Sequence, residues 1–242
     1  MLINNILSVY PYLGLCAGMA LVYAFVLLLF RKMWKISLLS GLLATPFALT
    51  SWGCVPEYWN PHRLINIMRT GIEDVIISFV LGALAALMGF SLFRRRIVFR
   101  NSMGAAIIRY LSISVVGVAI GMPFYFLGVR PSTTGFISTS CALVLLLYLR
   151  PDLWPCALCA GMGYCMVYIP VLSAAYYFWP HFALQWNHAN LWGEWFGHIP
   201  IDEFIWALTT AAASCSFMAY VLGLEWQEAG AIRVSAPQPD AT

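Results

Sequence analysis

Apolar residues run along this chain in long unbroken stretches, not in the alternating pattern of a half-buried strand or the narrow stripe of a surface helix. A helix needs about 20 apolar residues to cross a bilayer. The pattern predicts about seven such stretches: 11–30, 36–51, 71–93, 107–129, 133–149, 155–179 and 199–224. The second and fifth are short by this measure. Met1–Tyr10, ahead of the first, holds no Lys or Arg, unlike the basic opening of a cleaved secretory signal. The tail 225–242 is polar and is expected to fray. The predicted fold is all-α, a polytopic transmembrane helical bundle.

Composition excludes the soluble classes. Of 242 residues 62% are apolar and 10% charged, with a mean hydropathy of +0.80. Ordinary globular chains hold roughly 45–50% and 25%. A soluble chain of this size cannot hide that much apolar area. The net charge of +3 is small and is not spread as a nucleic-acid face. Six of seven cysteines (Cys16, Cys141, Cys156, Cys159, Cys165 and Cys215) fall in apolar stretches, which rules out a secreted disulfide framework.

The basic residues set an orientation. Arg31, Lys32, Lys35, Arg94, Arg95, Arg96, Arg100, Arg109, Arg150 and Arg233 share one side; Arg63, Arg69 and Arg130 take the other. The richer side is expected to be cytoplasmic. That places the protein in the inner (plasma) membrane with its N-terminus outside and its C-terminus inside.

The outer side gathers most of the remaining polar chemistry. It holds all four histidines (His62, His181, His188, His198) and six of the ten acids: Glu57, Glu73, Asp74, Glu194, Asp202 and Glu203. Trp52, Trp59, Trp179, Trp186, Trp192 and Trp195 accompany them. Two roles are open to these rings: an interfacial belt, or π faces that stabilise a cationic intermediate.

Two acidic doublets stand out. Gly71-Ile-Glu-Asp-Val-Ile opens the third stretch and Pro200-Ile-Asp-Glu-Phe-Ile the seventh, 129 residues apart. Acids in a first turn offset the helix dipole and mark a boundary. Acids at the edge of hydrocarbon are also functional-site candidates. Aligning the doublets matches spans one to three with spans five to seven. The predicted organisation is two parallel three-span repeats, 1–100 and 133–224, joined by a linker span within 101–132, with 225–242 a flexible cytoplasmic tail. Pro46 and Pro170 take roughly similar places in it. Repeat symmetry would bring Glu73/Asp74 and Asp202/Glu203 towards each other across a cavity.

A carboxyl group near hydrocarbon holds its proton more tightly, and a second carboxylate beside it strengthens that hold. One acid of a pair can then donate a proton while another accepts one. Protonating an alkene gives a carbocation, an internal double bond closes a ring on it, and a base removes a proton. Such chemistry calls for no cofactor and no metal. Adjacent helical residues point about 100° apart, so at most one acid of each doublet faces the cavity squarely. The other is expected to cap the helix or orient its partner. Trp206 lies one turn on from both Asp202 and Glu203.

The stretch from Trp192 to Trp206, Trp-Gly-Glu-Trp-Phe-Gly-His-Ile-Pro-Ile-Asp-Glu-Phe-Ile-Trp, together with Gly71-Ile-Glu-Asp-Val-Ile, resembles the membrane-embedded lycopene cyclases of carotenoid synthesis. That family, heterodimeric in bacteria and fused in archaea and fungi, carries a Pro-x-Glu-Glu/Asp motif in each half. The resemblance implies an isomerase that cyclises a polyene end group without redox change. Glu73, Asp74, Asp202 and Glu203 would be its catalytic acids, and Trp59, Trp192, Trp195, Trp206 and His198 would line the isoprenoid substrate. Gly71 stands where the family usually has Pro, and Asp202 where it usually has Glu. Association with other carotenoid enzymes is a further expectation. A carotenoid hydratase or another terpenoid cyclase would use the same cation logic.

Other readings fare worse. Cys156-Ala-Leu-Cys159 lacks the second ligand pair of a metal site. His181, His188 and His198 are seven and ten residues apart, too far along a helix for two of them to grip one ion. Lys32 and Lys35, the only lysines, leave the last span without a Schiff-base residue. Asp occurs only at 74, 152, 202 and 240, too sparsely for a diphosphate-binding motif. A transporter or binding protein remains as the non-enzymatic alternative, although its charges belong nearer the bilayer midplane.

Overall fold

A computed structural model describes residues 2–91 and 96–227. Arg94, Arg95, Arg233 and the tail from 228 onward lie outside them. Seven helical segments are long and apolar enough to span a membrane: Pro11–Leu29, Arg31–Cys54, Ile72–Ser91, Met103–Phe126, Pro131–Leu149, Pro151–Phe178 and Ile201–Leu222. The protein is thus all-α in its core and of multi-pass membrane type.

In chain order the elements are α1 (Leu2–Val9), α2 (Pro11–Leu29), α3 (Trp34–Ala44), α4 (Ser51–Cys54), α5 (Ile72–Ser91), β1 (Arg96–Phe99), α6 (Met103–Phe126), α7 (Pro131–Leu149), α8 (Trp154–Phe178), β2 (Trp195–Phe196), β3 (Ile199–Pro200), α9 (Ile201–Leu222) and β4 (Leu224–Gln227). Three differ from the sequence expectation. The second span is not short: a 3-10 turn at Arg31–Met33, α3, a 3-10 segment at Thr45–Thr50 and α4 together make 24 residues. Pro46 opens that 3-10 segment, where a proline's missing N–H and its ring disfavour α geometry. Pro170, by contrast, is carried inside a continuous α8. Finally, residues 225–227 do not fray, since β4 pairs antiparallel with β1 from Arg96↔Gln227 to Phe99↔Leu224. Gly223, at φ 61°, supplies the left-handed residue that turns α9 into β4.

The β1/β4 end collects the basic residues. Arg150 Nη2 donates to Leu224 O at 2.9 Å and Arg109 Nη1 to Tyr220 O at 3.0 Å. At the other end the three exceptions to the charge asymmetry are tied to protein. Arg63 pairs with Asp74, Arg69 Nη1 donates to Val55 O at 2.9 Å, and Arg130 Nη1 to Leu191 O at 3.0 Å.

Helices α5 and α9 touch each other and are the most enclosed spans. Helices α2, α3 and α8 pack on α5; α7 and α8 pack on α9. Small residues allow close approach, as at Gly161, where an added Cβ would lie 2.7 Å from Leu208 O. Helix α6 packs on α7 and α9 and exposes Ile108, Leu111, Val115 and Val118 laterally.

Local structure repeats along the chain. Two 3-10 turns, Arg31–Met33 and Pro151–Leu153, each lead into a helix that begins with Trp, at Trp34 and Trp154. Just ahead of α5, Ile67 bridges Thr70; just ahead of α9, Phe196 bridges Ile199. These two-residue hairpins are again 129 positions apart. Met68 and Arg69 take φ values of 52° and 65° at the tip of the first, the left-handed geometry that tight hairpins demand. The two loops before the acidic helices also pair with each other. Asn60 N donates to Gln185 O at 2.7 Å, Asn187 N to Tyr58 O at 2.8 Å, and Trp59 bridges Trp186. Segments 52–70 and 180–198 therefore lie at the same end of the bundle.

Candidate active site

All four acids sit in the first turns of α5 and α9 and are buried, Glu73 at 0% exposure and Glu203, the most accessible, at 4%. Within each doublet the two carboxyls are held differently.

In the first doublet Asp74 is saturated. Arg63 donates through Nε to Oδ2 at 2.7 Å and through Nη2 to Oδ1 at 3.3 Å. Tyr12 OH adds a bond to Oδ1 at 3.1 Å, and Gly71 N donates to Oδ2 at 2.6 Å. The last contact is half of a capping box, in which an acid in the third helical position reaches back to the residue before the helix. Glu73 accepts only one bond, from Leu64 N to Oε1 at 2.7 Å, and its Oε2 has no protein partner.

The second doublet repeats this division. Glu203, again third in its helix, receives three donors: Tyr58 OH at 2.7 Å and Trp186 Nε1 at 2.9 Å on Oε1, and Tyr168 OH at 2.6 Å on Oε2. Asp202, again second, accepts from Trp192 N on Oδ2 at 3.1 Å, and its Oδ1 is unpartnered. The difference is charge. Asp74 faces a guanidinium, whereas Glu203 is held by neutral donors alone. Burial first, and the Glu203 carboxylate second, push the Tyr58 hydroxyl above the ordinary tyrosine range.

An aromatic wall joins the two centres. Tyr12, bound to Asp74, meets Trp59 edge-on at 4.5 Å between ring centroids. Trp59 packs on Trp186 at 5.6 Å, and Trp186 donates to Glu203. Tyr168 stacks on Tyr164 at 5.6 Å and leans on Trp206 at 5.5 Å. Arg63 lies over the Trp59 ring at 5.7 Å. The expected cavity between the doublets is replaced by this packed wall, and the cleft of about 330 Å³ in this region is lined by Trp52, Met68 and Arg69.

Of the residues expected to line substrate, Trp59 belongs to the wall and Trp206 flanks it through Tyr168. Trp192 contributes its backbone N–H to Asp202, while its indole donates to Thr133 Oγ1 at 2.8 Å. Trp195 and His198 are not brought to the acids. They are exposed on the β2–β3 hairpin, Trp195 beside His188 and His198 in the turn. The hairpin's outward side puts them there, since a two-residue turn leaves no room to fold back on the helix start. Tyr12, Tyr58, Tyr168 and Arg63 were not foreseen as partners of the acids. The tyrosines carried one signal: Tyr164, Tyr168 and Tyr176 recur at helical spacing on an otherwise apolar span. Arg63, in an irregular loop, carried none.

The fold and its buried acids define a multi-pass membrane protein with paired carboxyl centres at one end of a helical bundle. Residues 131–221, which comprise α7, α8 and almost all of α9 and include Asp202 and Glu203, match the family model described as Lycopene cyclase. The match covers 91 of the 242 residues and marks this part of the chain as similar to the membrane lycopene cyclases. No curated protein and no solved structure matches the chain.

Proposed function

We propose that this protein cyclises the end group of a linear, lycopene-like polyene by carboxylic-acid protonation, without redox change. The observation that carries the reading is the division of labour within each doublet. Asp74 and Glu203 have every oxygen engaged, while Glu73 Oε2 and Asp202 Oδ1 are buried and free to give or take a proton. A buried carboxyl oxygen that accepts no hydrogen bond is the one open to proton exchange, whereas a carboxyl that accepts several N–H and O–H bonds is favoured as carboxylate.

In the proposed sequence the acid's proton adds to the terminal double bond and leaves a tertiary cation. The next double bond attacks it, forming the ring carbon–carbon bond and moving the cation along. A carboxylate then takes the proton from the adjacent carbon and restores a double bond. The product is an isomer of the substrate. Glu203, which accepts from three neutral donors, and the faces of Trp59, Trp186 and Tyr168 stabilise the passing positive charge. The packed wall keeps out water, which would otherwise capture the cation.

Local recurrences support this reading as well: hairpin, acid doublet and unpaired oxygen recur 129 residues apart. We take residues 1–100 and 133–224 as the parallel units, with the linker span between them. The basic β1/β4 end then faces the cytoplasm and the site faces outward. In membrane vesicles of known sidedness, His198→Cys is expected to react with an impermeant thiol reagent from the outer face and Lys32→Cys from the inner face. The opposite pattern removes the orientation.

The direct test is expression in cells that accumulate lycopene, with pigments separated by chromatography. A cyclised product of unchanged mass is expected. A product heavier by one water would instead mark a hydratase. Unchanged lycopene, with the protein confirmed in the membrane, would overturn lycopene as substrate.

A further inference from the structure

We propose that Arg63 is a positioning residue that makes the two acid pairs chemically unequal, an inference that rests on the cyclase reading above. Arg63 and Leu64 are consecutive and grip both acids of one doublet. The Arg63 side chain binds Asp74, and the Leu64 N–H binds Glu73. The ion pair is enclosed on both sides, with side-chain exposures of 1% and 4%. Asp74 thereby meets a guanidinium, and Glu73 is the acid of the first pair with an oxygen left unpartnered. Among the described residues the donors to the second pair's Glu203, which are Tyr58, Tyr168 and Trp186, are all neutral. The negative field that attracts a cation therefore comes from Glu203, and proton exchange in the first pair is confined to Glu73.

Gly71 belongs to the same device. A Cβ at this position would lie 2.6 Å from Arg63 Cδ, 2.6 Å from Glu73 Oε2 and 2.8 Å from Ile65 O. Its N–H is also used, donating to Asp74 Oδ2. The equivalent position in the second half is Pro200, which has no N–H to give. The bare backbone at 71 is thus the space into which the Arg63 arm folds. The other titratable groups around Asp74 are Glu73 beside it, Tyr12 and Cys16 on α2, and Cys54 at the end of α4.

The test compares wild type, Arg63→Gln, Arg63→Lys, Gly71→Pro and the charge-neutral double variant Arg63→Gln/Asp74→Asn in purified membranes supplied with lycopene. Arg63→Gln is expected to lower kcat on the order of 100-fold with little change in KM, and to move the acid limb of the pH–rate profile. Its infrared spectrum is expected to gain a protonated-carboxyl band that the double variant lacks. The double variant is expected to recover most of the lost rate. Arg63→Lys keeps the charge and is expected to lose less than Arg63→Gln. Gly71→Pro is expected to behave like Arg63→Gln. A double variant no better than Arg63→Gln, or an Arg63→Gln enzyme with an unshifted pH profile and no new carboxyl band, overturns the proposal. If Arg63→Gln does not accumulate, Gly71→Pro and Arg63→Lys supply the same infrared comparison. If wild type leaves lycopene unchanged, the substrate assignment falls, and the infrared bands alone decide the role of Arg63.

Discussion

Glu73→Gln and Asp202→Asn are each expected to abolish ring formation, with losses on the order of 1,000-fold or more, while the protein still folds. Each amide keeps the size of the acid and an oxygen that can accept the one backbone N–H already bound, from Leu64 or Trp192. What it loses is the exchangeable proton on the unpartnered oxygen. A well-placed general acid contributes about 10²–10⁴ in rate, and an alkene is a poor base, so the upper part of that range applies. Fold is checked by membrane yield and a single symmetric peak in detergent gel filtration, and rate by the appearance of cyclic pigment. Near-wild-type turnover in both variants would remove the doublets from the mechanism. Loss in one alone would assign the chemistry to that half of the molecule.

The bundle was legible because lipid imposes a simple rule. A span must satisfy its own backbone, so it becomes a helix about as long as the bilayer is thick, and the apolar runs marked all seven. The ends were less legible: Pro46 sits in a 3-10 segment of the second span, which runs beyond its apolar stretch at both ends, from Arg31 to Cys54. Burial of the doublets was legible too, because four carboxylates at helix starts beside tryptophan-rich loops have few other places to go. Their partners were not. Arg63, Tyr58 and Trp186 come from irregular loops whose course depends on how the two loops pair, at Trp59↔Trp186, and no periodicity encodes that pairing. Trp195 and His198 follow the same rule: the β2–β3 hairpin leaves both exposed, and nothing in their spacing encodes that placement.

Glu203→Leu should be strongly destabilising, by about 3–5 kcal/mol. Three donors converge on this side chain, from the first loop, from α8 and from the second loop. A leucine of similar volume leaves all three hydroxyl and indole groups without an acceptor, at about 1–3 kcal/mol for each that stays buried. Against a total stability of about 5–15 kcal/mol, that is a large share. Glu203→Gln keeps an oxygen for Tyr58 and Trp186 and turns an amide towards Tyr168, whose hydroxyl can rotate to accept. It should lose about 1–2 kcal/mol while still losing activity, because the counter-charge is gone. Thermal unfolding in detergent, followed by gel filtration, ranks the three proteins. Equal melting of the leucine and glutamine variants would show that the donors do not depend on this acceptor. Alkaline pH probes the same network. The Tyr58 proton is held more tightly in the folded protein than in the unfolded chain. Its stabilising share is therefore complete below the ordinary tyrosine value of about 10 and drains away as pH rises towards the shifted one. Wild type should weaken above about pH 10 more steeply than Tyr58→Phe, and parallel slopes would detach Tyr58 from Glu203.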